Sequence, residues 1–186
     1  MNIHMTGVGG QGIGLLSEVL LRALSGAGME VRGVDTHGLA QRGGVVNSQI
    51  RTGSGEFSPL IAPGEADLVL ALERHEALRA VSGYLRDGGA LAYYDAVWQP
   101  FEVRNGTVPE VSTEALHEEC RRRGIRVVRV FRDDLPDSRM QNTALLAEVL
   151  RSGLIPGLEP EHAAGAMEDL LQGGALEANL GILGAR

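Results

Sequence analysis

Residues Met5–Gly14 read MTGVGGQGIG, five glycines gathered around a single glutamine. Within them Gly7-Val8-Gly9-Gly10-Gln11-Gly12 satisfies G-x-G-x-x-G, a spacing that lets a chain turn tightly out of a strand and open a helix whose first amides are free. The flanks fit that use. MNIHMT can form a short first strand, and IGLLSEVLLRALSGAG repeats Leu16, Leu20, Ala23 and Ala27 at helical spacing. Only Ser17, Glu18, Arg22 and Ser25 interrupt the apolar surface of that helix, which predicts that a sheet covers most of it. MEVRGVD follows as a second strand, completing a βαβ unit.

Working outward, THGLAQRGG (Thr36–Gly44) is too polar and glycine-rich for either periodicity and reads as a loop at the carboxyl edge of the sheet. VVNSQIRTGSGEFSPLI reads as a hairpin turning at GSG, with Pro59 at an edge or strand end. ADLVLAL is a continuous apolar run, the pattern of a strand buried on both faces. A helix is expected over Glu73–Arg86 and a strand at GALAYYD. Trp98–Val111 reads as an excursion, with FEVRN and GTVPEV as short extended pieces around an Asn105-Gly106 turn. The next helix has a Ser112 cap, Glu114 in its first turn, Arg121–Arg123 in its last and Gly124 as its stop. IRVVRVF is the last strand, Met140–Arg151 is helical, and one or two short helices fill Glu159–Leu183. Strands alternating with helices predict a three-layer, Rossmann-like α/β fold: a mainly parallel sheet with helices on both faces, in one domain spanning 1–186.

Composition excludes several chemistries. The one cysteine, Cys120, cannot build a disulfide framework, a multi-cysteine zinc site or an iron–sulfur cluster within this chain. All 17 basic residues are arginine, so neither a Schiff-base lysine nor the lysine of a Walker A loop is available. Acidic residues outnumber basic ones by 24 to 17, which argues against nucleic acid as a partner. No window nears the roughly 18 apolar residues of a membrane span, so a cytoplasmic location without membrane partners is expected.

The glycine motif itself leaves three readings open: a dinucleotide, another anion or a partner surface, or close helix–strand packing. Glu30 and Asp35 lie about 20 residues beyond it, where a ribose-binding acid would fall. Against a dinucleotide, Gly10 and Gln11 put a bare backbone and a polar amide where the loop would touch its ligand, and a second specialised loop follows Asp35. In that loop Arg42, followed by Gly43 and Gly44, can present a donor fork to a phosphate or carboxylate, or bridge loops within its own domain. His37 can carry a proton or simply hydrogen-bond. Asp133, Asp134 and Asp137 match no ligand spacing and suit turn or cap roles. Arg121–Arg123 with Arg126, Arg129 and Arg132 suit a helix terminus and a solvated face more than a polyphosphate, and Cys120 shares an apolar side with Leu116.

Taken together, GVGGQGI, THGLAQRGGVVNSQIRTG, SPLIAPGEADLVLALERHEALR and QNTALLAEVL resemble the gamma subunit or domain of 2-oxoacid:ferredoxin oxidoreductases over roughly residues 1–150. The small, beta subunit of the indolepyruvate branch fits best. The resemblance implies an accessory subunit in the oxidative decarboxylation of a 2-oxoacid, with electrons passing to ferredoxin and the acyl group to coenzyme A. It implies that thiamine diphosphate, Mg and iron–sulfur clusters reside on a large companion subunit, and that coenzyme A binds near this one. Gly7, Gly9, Gly10, Gln11 and Gly12 match the family's loop, and Gln41-Arg42-Gly43-Gly44 matches its Arg-Gly-Gly segment, with Thr36 and His37 just before it. The family often has an acidic residue or alanine where this chain has Gln41. Asn142 matches a recurrent family asparagine. A free-standing NAD-dependent oxidoreductase and a non-catalytic docking adaptor are the alternatives, and a homodimer is open to the isolated chain.

Overall fold

The fold is a six-stranded mixed sheet in the order β2-β3-β1-β4-β5-β6, as given by a computed structural model that describes residues 1–37, 44–55, 58–98, 103 and 105–184. The strands are β1 (Asn2–Val8), β2 (Val31–His37), β3 (Val45–Thr52), β4 (Ala66–Ala71), β5 (Leu85–Tyr94) and β6 (Arg126–Val130). β1, β4, β5 and β6 pair in parallel, whereas β3 runs antiparallel to both β1 and β2.

Strand β4 shows why its sequence is continuously apolar. Leu68 and Leu70 enter the core on one face while Val69 and Ala71 enter the core on the other, so period-two alternation leaves no wet side. The first face is covered by α1 (Ile13–Gly26), α4 (Gln141–Arg151), α5 (Pro160–Leu170) and α6 (Gly173–Leu183). The second is covered by α2 (Arg74–Gly83) and α3 (Thr113–Arg122). The expected three-layer α/β architecture is therefore present. In α1 the predicted Leu16, Leu20 and Ala23 are buried, together with Ile13, Ser17, Val19 and Leu24, while Ala27 falls at the helix's C-cap and is half-buried.

Helix ends follow their signals. Ser112 Oγ accepts from the Ala115 amide at 3.1 Å, and Gly124 stops the chain after α3 with φ 63°. Glu73 proves to be the cap of α2 rather than its first residue, its carboxylate accepting from the Glu76 amide at 2.9 Å. That helix also ends at Gly83 instead of Arg86, because β5 begins at Leu85.

Two readings need correction. Val45–Thr52 is one strand of a hairpin with β2, so Thr36 and His37 finish β2 instead of beginning a loop, and GSG ends β3 without a paired strand after it. This strand inserts between β1 and β2, which are consequently not neighbours. In the excursion, Gly106 turns as expected with φ 75°, but no strand forms there among the described residues. Most of FEVRN lies outside them.

Candidate functional site

At the carboxyl end of β1 the glycine loop is braced by its own glutamine. Gln11 is fully buried; its Oε1 accepts from the Val8 amide at 2.7 Å and its Nε2 donates to the Leu72 carbonyl, just past β4, at 2.6 Å. The Gln11 amide in turn donates to the Val8 carbonyl at 3.1 Å. A side chain expected to meet a ligand therefore faces inward, since it satisfies buried backbone groups that would otherwise be orphaned. Gly7 leaves room for this brace: a Cβ there would lie 3.0 Å from both Gln11 Oε1 and Ile13.

Gly10 and Gly12 have φ of 103° and 84°, a left-handed backbone that favours glycine. Gly12 starts α1 without a side-chain cap, so the amides of the first helical turn have no acceptor inside the helix. Beside them lies an open groove of about 300 Å³, whose lining includes Gly10, Gly12, Leu15, Arg139, Asn142 and Asn179. Arg139 is engaged by Asp137, whose carboxyl its hydrogen bond holds down at about 2. The groove thus sets the first-turn amides of α1 beside a nearly neutralised Arg139–Asp137 pair, while the Asn142 and Asn179 carboxamides are engaged within the protein. First-turn amides of this kind suit an anionic oxygen or a carbonyl.

The second glycine segment approaches the first. The Gly9 amide donates to the Gly44 carbonyl at 2.9 Å, fastening the start of β3 to the loop. Strand register puts Thr36 in line with Asn47 and Thr6, and His37 in line with Val46 and Gly7, so both reach the loop's end of the sheet. Gln41, Arg42 and Gly43 lie outside the described residues.

The two acids expected at a ribose are elsewhere. Glu30 precedes β2 at the opposite end of the sheet, where its carboxylate accepts from the Gly55 amide at 3.3 Å. With about 3.3 Å per strand residue, the length of β2 separates it from the glycine loop. Asp35 is on the edge strand, one strand removed from β1, and accepts a hydrogen bond from Ser17 at 3.0 Å. Ser17 in turn takes the hydroxyl proton of Ser48 at 2.7 Å, so this interruption of the apolar surface is buried with its hydroxyl satisfied. The inserted strand is what removes the dinucleotide geometry.

Other candidates have structural uses. Asp137 caps the 3-10 turn at Ser138–Met140, and Asp134 pairs with Arg132. Arg121 and Arg122 pair with glutamates one turn back, Arg123 pairs with Asp87, and Arg129 joins Arg74 in clamping the buried Asp95. Cys120 is buried beside Leu116, and burial pushes its thiol up to about 11. No group of three or more His, Cys, Asp or Glu side chains able to hold a metal occurs among the described residues. Likewise, no described helix is long and apolar enough to cross a membrane. Missed from sequence were Thr143 and Asn179, buried polar residues behind Asn142, which nothing in local spacing connects.

The chain matches the family described as pyruvate ferredoxin/flavodoxin oxidoreductase over residues 2–185. It belongs to that family, and with it to the subunits of 2-oxoacid:ferredoxin oxidoreductases. Among curated relatives it is 31% identical over 185 residues to the indolepyruvate oxidoreductase subunit IorB of Archaeoglobus fulgidus, covering 97% of this chain and 90% of that one. Its fold is similar to the gamma subunit of a keto/oxoacid ferredoxin oxidoreductase from Geobacter sulfurreducens, with TM-score 0.64, 20% identity and coverage of 98% and 94% of the two chains. It is also similar to part of the 2-oxoglutarate:ferredoxin oxidoreductase of Magnetococcus marinus, solved with 2-oxoglutarate, coenzyme A and succinyl-CoA bound. There the TM-score is 0.68 and the identity 18%, over 99% of this chain and 30% of that one.

Proposed function

We propose that this chain is a single-domain, cytoplasmic accessory subunit of an arylpyruvate:ferredoxin oxidoreductase, with indolepyruvate as the representative substrate. The observation that carries the reading is the match to IorB along nearly the full length of both chains. With one cysteine in the sequence, the iron–sulfur clusters belong on a large companion subunit, together with thiamine diphosphate and Mg. Bound there, thiamine diphosphate supplies the carbanion chemistry of decarboxylation. This chain contributes a wall. Its glycine loop, Gly7–Gly12, and the segment containing Thr36, His37, Gln41, Arg42, Gly43 and Gly44 shape the side on which coenzyme A enters. Gln11 acts from behind by fixing the loop, while the first-turn amides of α1 and the guanidinium of Arg42 are the groups chemically suited to the anionic groups of coenzyme A. Ferredoxin meets the assembly through the companion.

The test is affinity purification of the tagged chain from its own cells, with iron and thiamine diphosphate analysis and a dye-reduction assay dependent on both arylpyruvate and coenzyme A. A large subunit arriving with iron, thiamine and activity supports the proposal. A chain that arrives alone, as monomer or homodimer, and binds NADH overturns it. Arg42→Ala in the active complex should raise the apparent KM for coenzyme A; an unchanged value would favour a docking adaptor.

A further inference from the structure

The Gly12 carbonyl accepts two donors. One is the Leu16 amide of its own helix at 3.0 Å, and the other is Asn142 Nδ2, from the start of α4, at 3.2 Å. The first already satisfies the carbonyl, so the second adds location more than satisfaction. Asn142 also fills the only space a side chain at position 12 could use: a Cβ on Gly12 would lie 2.6 Å from Asn142 Nδ2. Asn142 is itself held. Its Oδ1 accepts from the Thr143 amide at 2.7 Å, the Thr143 hydroxyl donates to Asn179 Oδ1, and Asn179 Nδ2 donates to the Ala175 carbonyl at 2.8 Å. All three side chains are buried, at 4%, 3% and 5% exposure.

We infer that Asn142 is a positioning residue, which fixes the glycine loop at the groove and transmits to it the placement of the carboxyl-terminal helices through Thr143 and Asn179. The three side chains are all buried and partnered, with Asn142 Oδ1 as a second acceptor for the Thr143 hydroxyl at 3.3 Å, and the network ends on the loop's backbone. Its relevance to turnover rests on the proposed function above, with the loop on the coenzyme A side.

Amide hydrogen exchange on the full chain, read by NMR, tests it. In Asn142→Ala the Leu16 amide, whose acceptor is the Gly12 carbonyl, should exchange about five- to ten-fold faster while Val69 in β4 stays unchanged. Thr143→Val, which exchanges the hydroxyl for a methyl group and keeps the amide bond to Asn142, should give a smaller change of the same kind and serves if the alanine variant does not fold. An unchanged Leu16 rate overturns the inference, and so does equal acceleration at Val69, which marks a purely structural role. In the reconstituted complex the same variants should raise the apparent KM for coenzyme A about five-fold with kcat nearly unchanged. Faster Leu16 exchange with an unchanged KM supports the positioning role and overturns the placement of coenzyme A.

Discussion

The two halves of the sheet, divided at β1, are stabilised in different ways. From β1 through β4 to β6 the strands are parallel, and β4 has apolar neighbours on both faces. From β1 through β3 to β2 they are antiparallel, and the edge strand exposes Arg32, Gly33 and Asp35. The first half is buried on both faces at β4, whereas in the second burial is concentrated on β3, as at Ile50, and fades toward the exposed edge strand. The glycine loop stands on the boundary between them. It takes one fastening from the parallel half through Leu72 and one from the antiparallel half through Gly44.

The contrast can be tested by equivalent deletions. Leu70→Ala, in the fully buried centre of the parallel half, should lower unfolding free energy by about 4 kcal/mol in a denaturant titration. A loss under about 1 kcal/mol there would contradict the division. His4 sharpens the comparison because it lies in the boundary strand, buried, with Nδ1 unpartnered and its ring stacked on Tyr84 at 4.0 Å. Burial lowers its pKa from 6.5 to about 4, so the unfolded chain binds the proton first as pH falls. Stability is therefore intact above pH 6.5 and declines toward pH 4, by about 3 kcal/mol in total. His4→Phe, which keeps the stack, should flatten that slope in urea titrations across the window.

Removing the brace should have a smaller effect. Gln11→Leu leaves the Val8 amide and the Leu72 carbonyl without their partner, a loss of about 2 kcal/mol that thermal unfolding would show. Smallest of all, Val34→Ala on the half-buried edge strand should change stability by less than about 1 kcal/mol. If it matched Leu70→Ala, the edge would be carrying core-like weight.

Legibility from sequence divides along the same line. β4 and the stripe of α1 could be read because burial writes itself into spacing, and Ser112 and Gly124 because caps are local chemistry. The β2–β3 hairpin was misread because its pairing, from His37 with Val46 to Val31 with Thr52, is fixed together with the insertion of β3 beside β1, as in Asn2 with Arg51, which is distant in sequence. GSG offered a local turn that tertiary structure did not use for pairing. At the site, the glycine motif and Asn142 were visible as residues. The inward turn of Gln11 was not, since the carbonyl it needs belongs to Leu72.

That last pairing has a bearing on how the molecule assembles in time. Gln11 reaches an acceptor 61 residues further along, so the loop cannot take its shape until β4 has been made and has docked beside β1. A nascent chain carrying only the first two strands holds every glycine of the motif and the local Val8–Gln11 bonds, but not the anchor at Leu72. Closing a loop over such a separation costs more chain entropy than forming the local Val8–Gln11 bonds, and the bond to Leu72 makes the loop a reporter of completion. A companion protein that reads this surface would meet it only on molecules whose central sheet is already closed.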